Sequence, residues 1–171
     1  VSADATFTSG NEEYAYAGAT YDIYEADGDR KVTTVTTDEG GHASCQLKPN
    51  TRYYAVEVAA PQGFVLGTGR VEFSTGTDAS TVSLADTPGT LRLSVQKKDA
   101  ATGGKPQVGA TLEGAKYKVV DANGKAHLGT TDESGLVTFD GLPFGAVSVT
   151  ETKAPEGYRL DATKHEYYVS S

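Results

Sequence analysis

Apolar residues in this chain recur at every second position in short runs: Ala19, Tyr21 and Ile23; Ala43, Cys45 and Leu47; Val82 and Leu84; then Leu91, Leu93 and Val95; Tyr117 and Val119; Val147 and Val149. A period of two places such residues on one face of a strand, because successive side chains on extended backbone point to opposite sides. Turn signals separate the runs, among them Asp27-Gly28, Gly40-Gly41, Gly103-Gly104 and Asn123-Gly124. Stretches with a helical period are few. The pattern predicts an all-β chain of short strands and tight turns, and the 20 Gly, 6 Pro and 10 Tyr agree with it.

The runs are not independent of one another. Tyr54-Ala55-Val56-Glu57-Val58-Ala59-Ala60-Pro61-Gln62-Gly63-Phe64 returns 94 residues later as Ser148-Val149-Thr150-Glu151-Thr152-Lys153-Ala154-Pro155-Glu156-Gly157-Tyr158. Thr37-Asp38-Glu39 returns at the same offset as Thr131-Asp132-Glu133, and Gly41 as Gly135. Upstream the match resumes with a two-residue shift, Gly18-Ala19-Thr20-Tyr21 against Gly114-Ala115-Lys116-Tyr117. The 171 residues therefore divide into two homologous modules, 1–88 and 89–171, meeting near Pro88-Gly89. Each is expected to be a small antiparallel sandwich.

Two motifs carry a family resemblance. Glu-Thr-x-Ala-Pro-x-Gly-Tyr after an alternating strand, and Gly-Ala-x-Tyr after a Lys-x-Asp opening, resemble the collagen-adhesin B-type (Cna protein B-type, prealbumin-like or pilin-type) isopeptide domains of Gram-positive surface proteins. The second module carries the set as Lys97-Lys98-Asp99, Gly114 to Tyr117, Thr131 to Gly135, Gly141-Leu142-Pro143 and Glu151 to Tyr158. The first carries a looser copy, with Val58 for Thr and Phe64 for Tyr. The resemblance implies an immunoglobulin-like or prealbumin-like β-sandwich. It also implies that a first-strand lysine and a last-strand Asp or Asn condense into an isopeptide bond, assisted by the glutamate of the Glu-x-x-Ala-Pro motif.

The alternation places these residues individually. Lys97 continues the Leu91, Leu93 and Val95 face, so it aims inward while Lys98 points out. Burial disfavours an ammonium and frees a nucleophilic amine; the plainer alternative is a strand-end lysine that snorkels to water. Glu151 follows Val147 and Val149, and Glu57 is its counterpart, so both are inward carboxyls suited to passing protons. Asp86 continues Val82 and Leu84 and is the acceptor candidate of the first module. That module has no lysine on its first strand: counting back from Ala19 lands on Val1 or the position before it. The second module has the complementary gap, since the partner of Asp86 at an offset of 94 would lie beyond Ser171.

Charge and rarer residues narrow the function further. The net charge of −8 belongs to the first module, with 13 acidic against 5 basic residues up to Pro88 and 10 against 10 after it. Nucleic acid and anionic membranes reward clustered Lys and Arg and are poor partners for such a surface. No apolar run has the length of a membrane span or a signal-peptide core, and with no Met the chain reads as an internal segment. The one cysteine, Cys45, cannot form an internal disulfide and reads as a small inward residue beside Ala43 and Leu47. Ser94-Val95-Gln96-Lys97 fits a Ser-x-x-Lys pattern, but on a strand the two side chains face opposite sides. Glu25 to Asp29 reads as a hairpin turn more readily than a calcium loop, and His42, His127 and His165 have no metal-ligand spacing.

The combined reading is a non-enzymatic stalk or shaft module of a cell-wall-anchored adhesin or pilus, needing no cofactor or metal. Its expected place is the extracellular cell surface. Its expected partners are neighbouring domains or subunits of the same surface protein. The alternative is an adhesin module that recognises a host protein or glycan through its loops.

Overall fold

Tyr21 and Ile23, two of the alternating residues, lie opposite Glu57 and Ala55 on neighbouring antiparallel strands. These strands, β1 (Thr20–Glu25) and β3 (Arg52–Ala59), form the centre of a four-stranded sheet. Its edges are β2 (Arg30–Thr36), beside β1, and β5 (Arg70–Ser74), beside β3. A short pair, β4 (Phe64–Val65) with β6 (Thr87–Pro88), lies apart from that sheet. The inward face packs Ala19, Tyr21, Ile23, Tyr53 and Ala55, with Leu47, Phe73 and Leu84 closing over them. The β1–β2 hairpin turns at Asp27-Gly28-Asp29, where Gly28 adopts φ +92° and Asp29 a left-handed φ of 48°.

The second repeat builds the same sheet. Strands β8 (Lys116–Val120), β9 (Ala126–Thr130), β11 (Gly145–Lys153) and β12 (Lys164–Val169) are ordered β12-β11-β8-β9. Opposite them β7 (Leu91–Gln96) pairs with β10 (Leu136–Leu142). Val119 and Leu142 are wholly buried in a core that includes Leu91, Tyr117, Val137, Phe139, Val147 and Val149. Each such aliphatic side chain contributes roughly 1.5–3 kcal/mol through burial. The computed structural model describes residues 1–171, and apart from the last residue these divide into compact units Val1–Gly89 and Thr90–Ser170. No helix is long and apolar enough to cross a membrane.

The Ala-Pro-x-Gly part of the repeat has a steric cause. Gly157 sits at φ +85°, and a Cβ there would come within 2.5 Å of the Ala110 Cβ. Gly63, its counterpart at φ +83°, lies against the Glu13 carbonyl and Tyr14. Glycine is the residue that combines a left-handed backbone with such a close approach.

Three expectations are corrected. Ala43 to Leu47 does not form a strand: Leu47 reaches the core, but Cys45 is exposed. Without ladder hydrogen bonds nothing holds that segment to strict alternation. Val82 to Leu84 likewise lies outside the ladders, and Val82 is 39% exposed while Leu84 packs on the core. The first unit is also not purely antiparallel, because Ser2 bridges Asp86 in parallel. After that bridge a single helical turn, α1 (Ala5–Thr8), is capped by Asp4, which accepts from the Thr6 and Phe7 N–H groups.

Candidate functional site

Lys97 is the first residue after β7, and its N–H donates to the Gly135 carbonyl at 2.8 Å, extending the β7–β10 pairing by one position. Its ammonium therefore enters the interior. Nζ lies 2.7 Å from Oε1 of Glu151, with the two side chains only 14% and 3% exposed. Glu151 on β11 faces Tyr117 of β8 across the ladder, and the Tyr117 hydroxyl approaches the same Oε1 at 3.4 Å. The Asp161 N–H donates to Oε2 at 3.0 Å. Burial, and secondarily the Glu151 charge, push the Tyr117 phenol up to about 12. Asp161, Thr163 and His165 line the rest of a pocket of about 90 Å³ at this pair. Lys98 is exposed.

A second group locks the segment that follows. Asp99 is 1% exposed and accepts from the N–H groups of Ala101 (2.7 Å) and Thr102 (2.9 Å), from Gln107 Nε2 (3.0 Å) and from the Tyr158 hydroxyl (2.8 Å). These bonds, led by that from Thr102, hold its carboxyl down at about 2. The Tyr158 ring also lies 6.0 Å from Lys97 Nζ. The final Tyr of one motif thus fastens the Asp of the other.

The first unit repeats half of this arrangement. Glu57 lies opposite Tyr21 as Glu151 lies opposite Tyr117, and its Oε2 accepts the Gly67 N–H at 2.5 Å, 94 positions before Asp161. Asp86 is 8% exposed and accepts the Tyr21 hydroxyl at 2.7 Å. No lysine joins them: Lys31 pairs with Asp22 and Lys48 with Glu25. Oε1 of Glu57, the counterpart of the atom that meets Lys97, is buried without a partner. Burial, with the Asp86 charge adding to it, raises the Glu57 carboxyl although the Gly67 bond works the other way. Burial and the bond to Asp86 raise the Tyr21 phenol.

The structure thus brings Lys97 to Glu151 and Glu57 to Asp86, in separate units. Tyr21 and Tyr117, members of the period-two runs, face the paired glutamates, and the cross-strand pairing that makes them partners was not legible from alternation. His127 of β9 meets Asp121 at 2.7 Å across the β8–β9 turn, and no group of three or more His, Cys, Asp or Glu is placed to hold a metal ion.

Comparison with known proteins agrees with this arrangement of repeats. The chain resembles a solved structure of the Bacillus anthracis TIE protein at 25% identity, with a TM-score of 0.63 over 94% of this chain and 29% of that one. The chain thus spans less than a third of that protein's solved length. More distant matches are BcpA, the major pilin subunit of Bacillus cereus, and a streptococcal ancillary pilin. BcpA matches at 15% identity and a TM-score of 0.41, over 94% of this chain and 93% of that one. The ancillary pilin matches at 19% and 0.39, over 91% and 54%. A search of curated proteins finds no match. The SpaA prealbumin-like fold domain matches residues 6–88 and again 92–171. This chain belongs to that family and carries its domain twice in tandem.

Proposed function

We propose that the chain is a structural spacer of a Gram-positive surface adhesin or pilus, displayed outside the cell, whose domains are built for Lys–Asp or Lys–Asn isopeptide bonds. The observation that carries this reading is the buried contact of Lys97 with Glu151 at 2.7 Å, matched in the first unit by Glu57 beside Asp86. The likeness to the Bacillus anthracis protein and the pilin names of more distant matches agree with such a setting.

In the reaction, Lys97 Nζ passes a proton to Glu151 and, as a neutral amine, attacks the side-chain carbonyl of an Asp or Asn. A C–N bond forms, the carbonyl carbon loses its hydroxyl or amino group, which departs as water or ammonia with the proton that Glu151 returns, and Glu151 takes up the second proton that the nitrogen gives up as it becomes an amide. In the first unit Asp86 is the electrophile and Glu57 the relay. On this reading the lysine for Asp86 and the acceptor for Lys97 are supplied by neighbouring segments or subunits. Partners on this reading are neighbouring domains or subunits.

The test is intact mass. A form carrying the native residues before Val1, with a lysine among them, loses one water if Asp86 acylates that lysine, and Glu57→Ala prevents the loss. An unchanged mass in that extended form refutes the crosslink. Saturable binding to a host protein or glycan, abolished by loop substitutions, would favour recognition over spacing.

A further inference from the structure

The outward face of the first unit carries a cluster that its fold does not require. Arg52, Tyr54 and Val56 alternate with the core residues Tyr53 and Ala55 along β3, so they point away from the core. Tyr54 pairs with Tyr24 of β1 on one side and with Glu72 of β5 on the other. The Tyr24 and Tyr54 rings stack at 5.0 Å and 3°, the Tyr54 hydroxyl donates to Asp29, and the Arg70 guanidinium lies over the Tyr54 ring at 5.0 Å. Beside them is a groove of about 310 Å³, lined on this face by Arg52, Tyr54, Arg70, Glu72 and Ser74. In the second unit the matching ladder positions hold Val120 opposite Ser148, and Ala146 stands where Arg52 does. That sheet forms without stacked rings or a second cation.

The groove gathers two of the 5 basic residues of a unit that has 13 acidic ones. Arg52 meets Asp27 at 3.1 Å and Arg70 meets Glu72 at 2.9 Å, both as exposed pairs. Pairs so open contribute little, so an incoming anion can take either guanidinium and leave its carboxylate partner free to accept. Stacking on Tyr54 holds Arg70 in place, and a guanidinium held in place presents a fork to a planar carboxylate. Glu72 and Ser74 set acceptors among these donors, a mixture that suits sugar hydroxyls, since each hydroxyl both donates and accepts. The groove opens on the sheet face, where the backbones of β3 and β5 are paired with each other, so an extended peptide finds no ladder to join there. The acidic surface around it repels a densely charged polyanion. We propose that this groove binds a uronic acid residue of an unsulfated glycan, with the sugar carboxylate on Arg70 and its hydroxyls on Arg52, Glu72 and Ser74. The site shares no residue with the Lys97–Glu151 or Glu57–Asp86 groups, so it adds recognition to a spacer whether or not a crosslink forms.

The test is proton–nitrogen NMR of the full chain, titrated with an unsulfated tetrasaccharide of alternating glucuronic acid and N-acetylglucosamine. Saturable shifts are expected at the amides of Arg52 to Val56 and of Arg70 to Ser74, with a Kd of about 1 mM or tighter. Arg52→Gln is expected to weaken binding and Arg70→Gln to weaken it at least about tenfold, while Lys164→Gln, at the Arg70 position of the second unit, leaves it unchanged. The same tetrasaccharide with its carboxylates reduced to alcohols is expected to bind the parent at least about tenfold more weakly, a comparison that needs no variant to fold. No shift at these amides by about 10 mM sugar overturns the proposal. So does equal binding of the carboxyl-reduced sugar, or binding that survives Arg70→Gln undiminished. A tetraglutamate peptide that shifts the same amides as strongly overturns it too, because the groove would then select a carboxylate and not a sugar. The crosslink is judged separately, by mass.

Discussion

The hydroxyl of Tyr158 donates to a buried Asp99 at 2.8 Å, joining two segments 59 residues apart in sequence. Both residues belong to motifs that sequence reading singled out, yet the reason they travel together is this bond. In the first unit Phe64 stands in place of Tyr158 and cannot donate. There Tyr14, stacked edge-on against Phe64, instead donates its hydroxyl to the Gly89 carbonyl at 2.8 Å.

Removing that bond is expected to lower the unfolding midpoint of the second unit. Asp99→Ala strands four donors and should cost more than about 4 °C, whereas Tyr158→Phe loses one bond and should cost less. Differential scanning calorimetry of the full chain checks the order; equal losses would mean that the other three donors find new partners.

Acid should act on the second unit through the same residue. Its carboxyl is held at about 2, led by the bond from Thr102. A group lowered on folding stabilises fully above its unfolded value, near 4, and that contribution fades as pH falls toward 2. Asp99→Asn is expected to flatten this acid limb, as read by circular dichroism at pH 2 to 5.

Lys97 and Lys98 should separate cleanly. Lys97→Met leaves the buried Glu151 carboxylate without its cation and is expected to cost about 3 kcal/mol in urea unfolding. Adding Glu151→Leu should return much of that loss, while Lys98→Ala stays within about 0.5 kcal/mol. A large effect of Lys98→Ala would mean that the strand alternation is misread.

Core packing gives a calibration. Leu142 is wholly buried where β10 meets β7 opposite Leu91, so Leu142→Ala is expected to cost about 2–5 kcal/mol. Urea unfolding should show that loss in the second unit alone.

Sequence alone carried the repeat, the all-β class and the inward direction of Lys97, Glu57 and Glu151, because ladder-bound strands such as β3 and β11 convert a period of two directly into two faces. Cys45 was misread because its segment makes no ladder. The facing of Tyr21 with Glu57 and of Tyr117 with Glu151 was not legible, since pairing register depends on partners far away in sequence. The parallel contact of Ser2 with Asp86 was hidden for the same reason, and so was the orphaned oxygen of Glu57.

That parallel contact fixes how the first unit bears load. Asp86 N–H donates to Val1 and Ala3 N–H donates to Asp86, both at 2.9 Å, so the segment entering the unit and the segment leaving it run side by side in the same direction. Tension on the two ends therefore slides one segment along the other and strains both hydrogen bonds together, instead of opening them in turn like a zip.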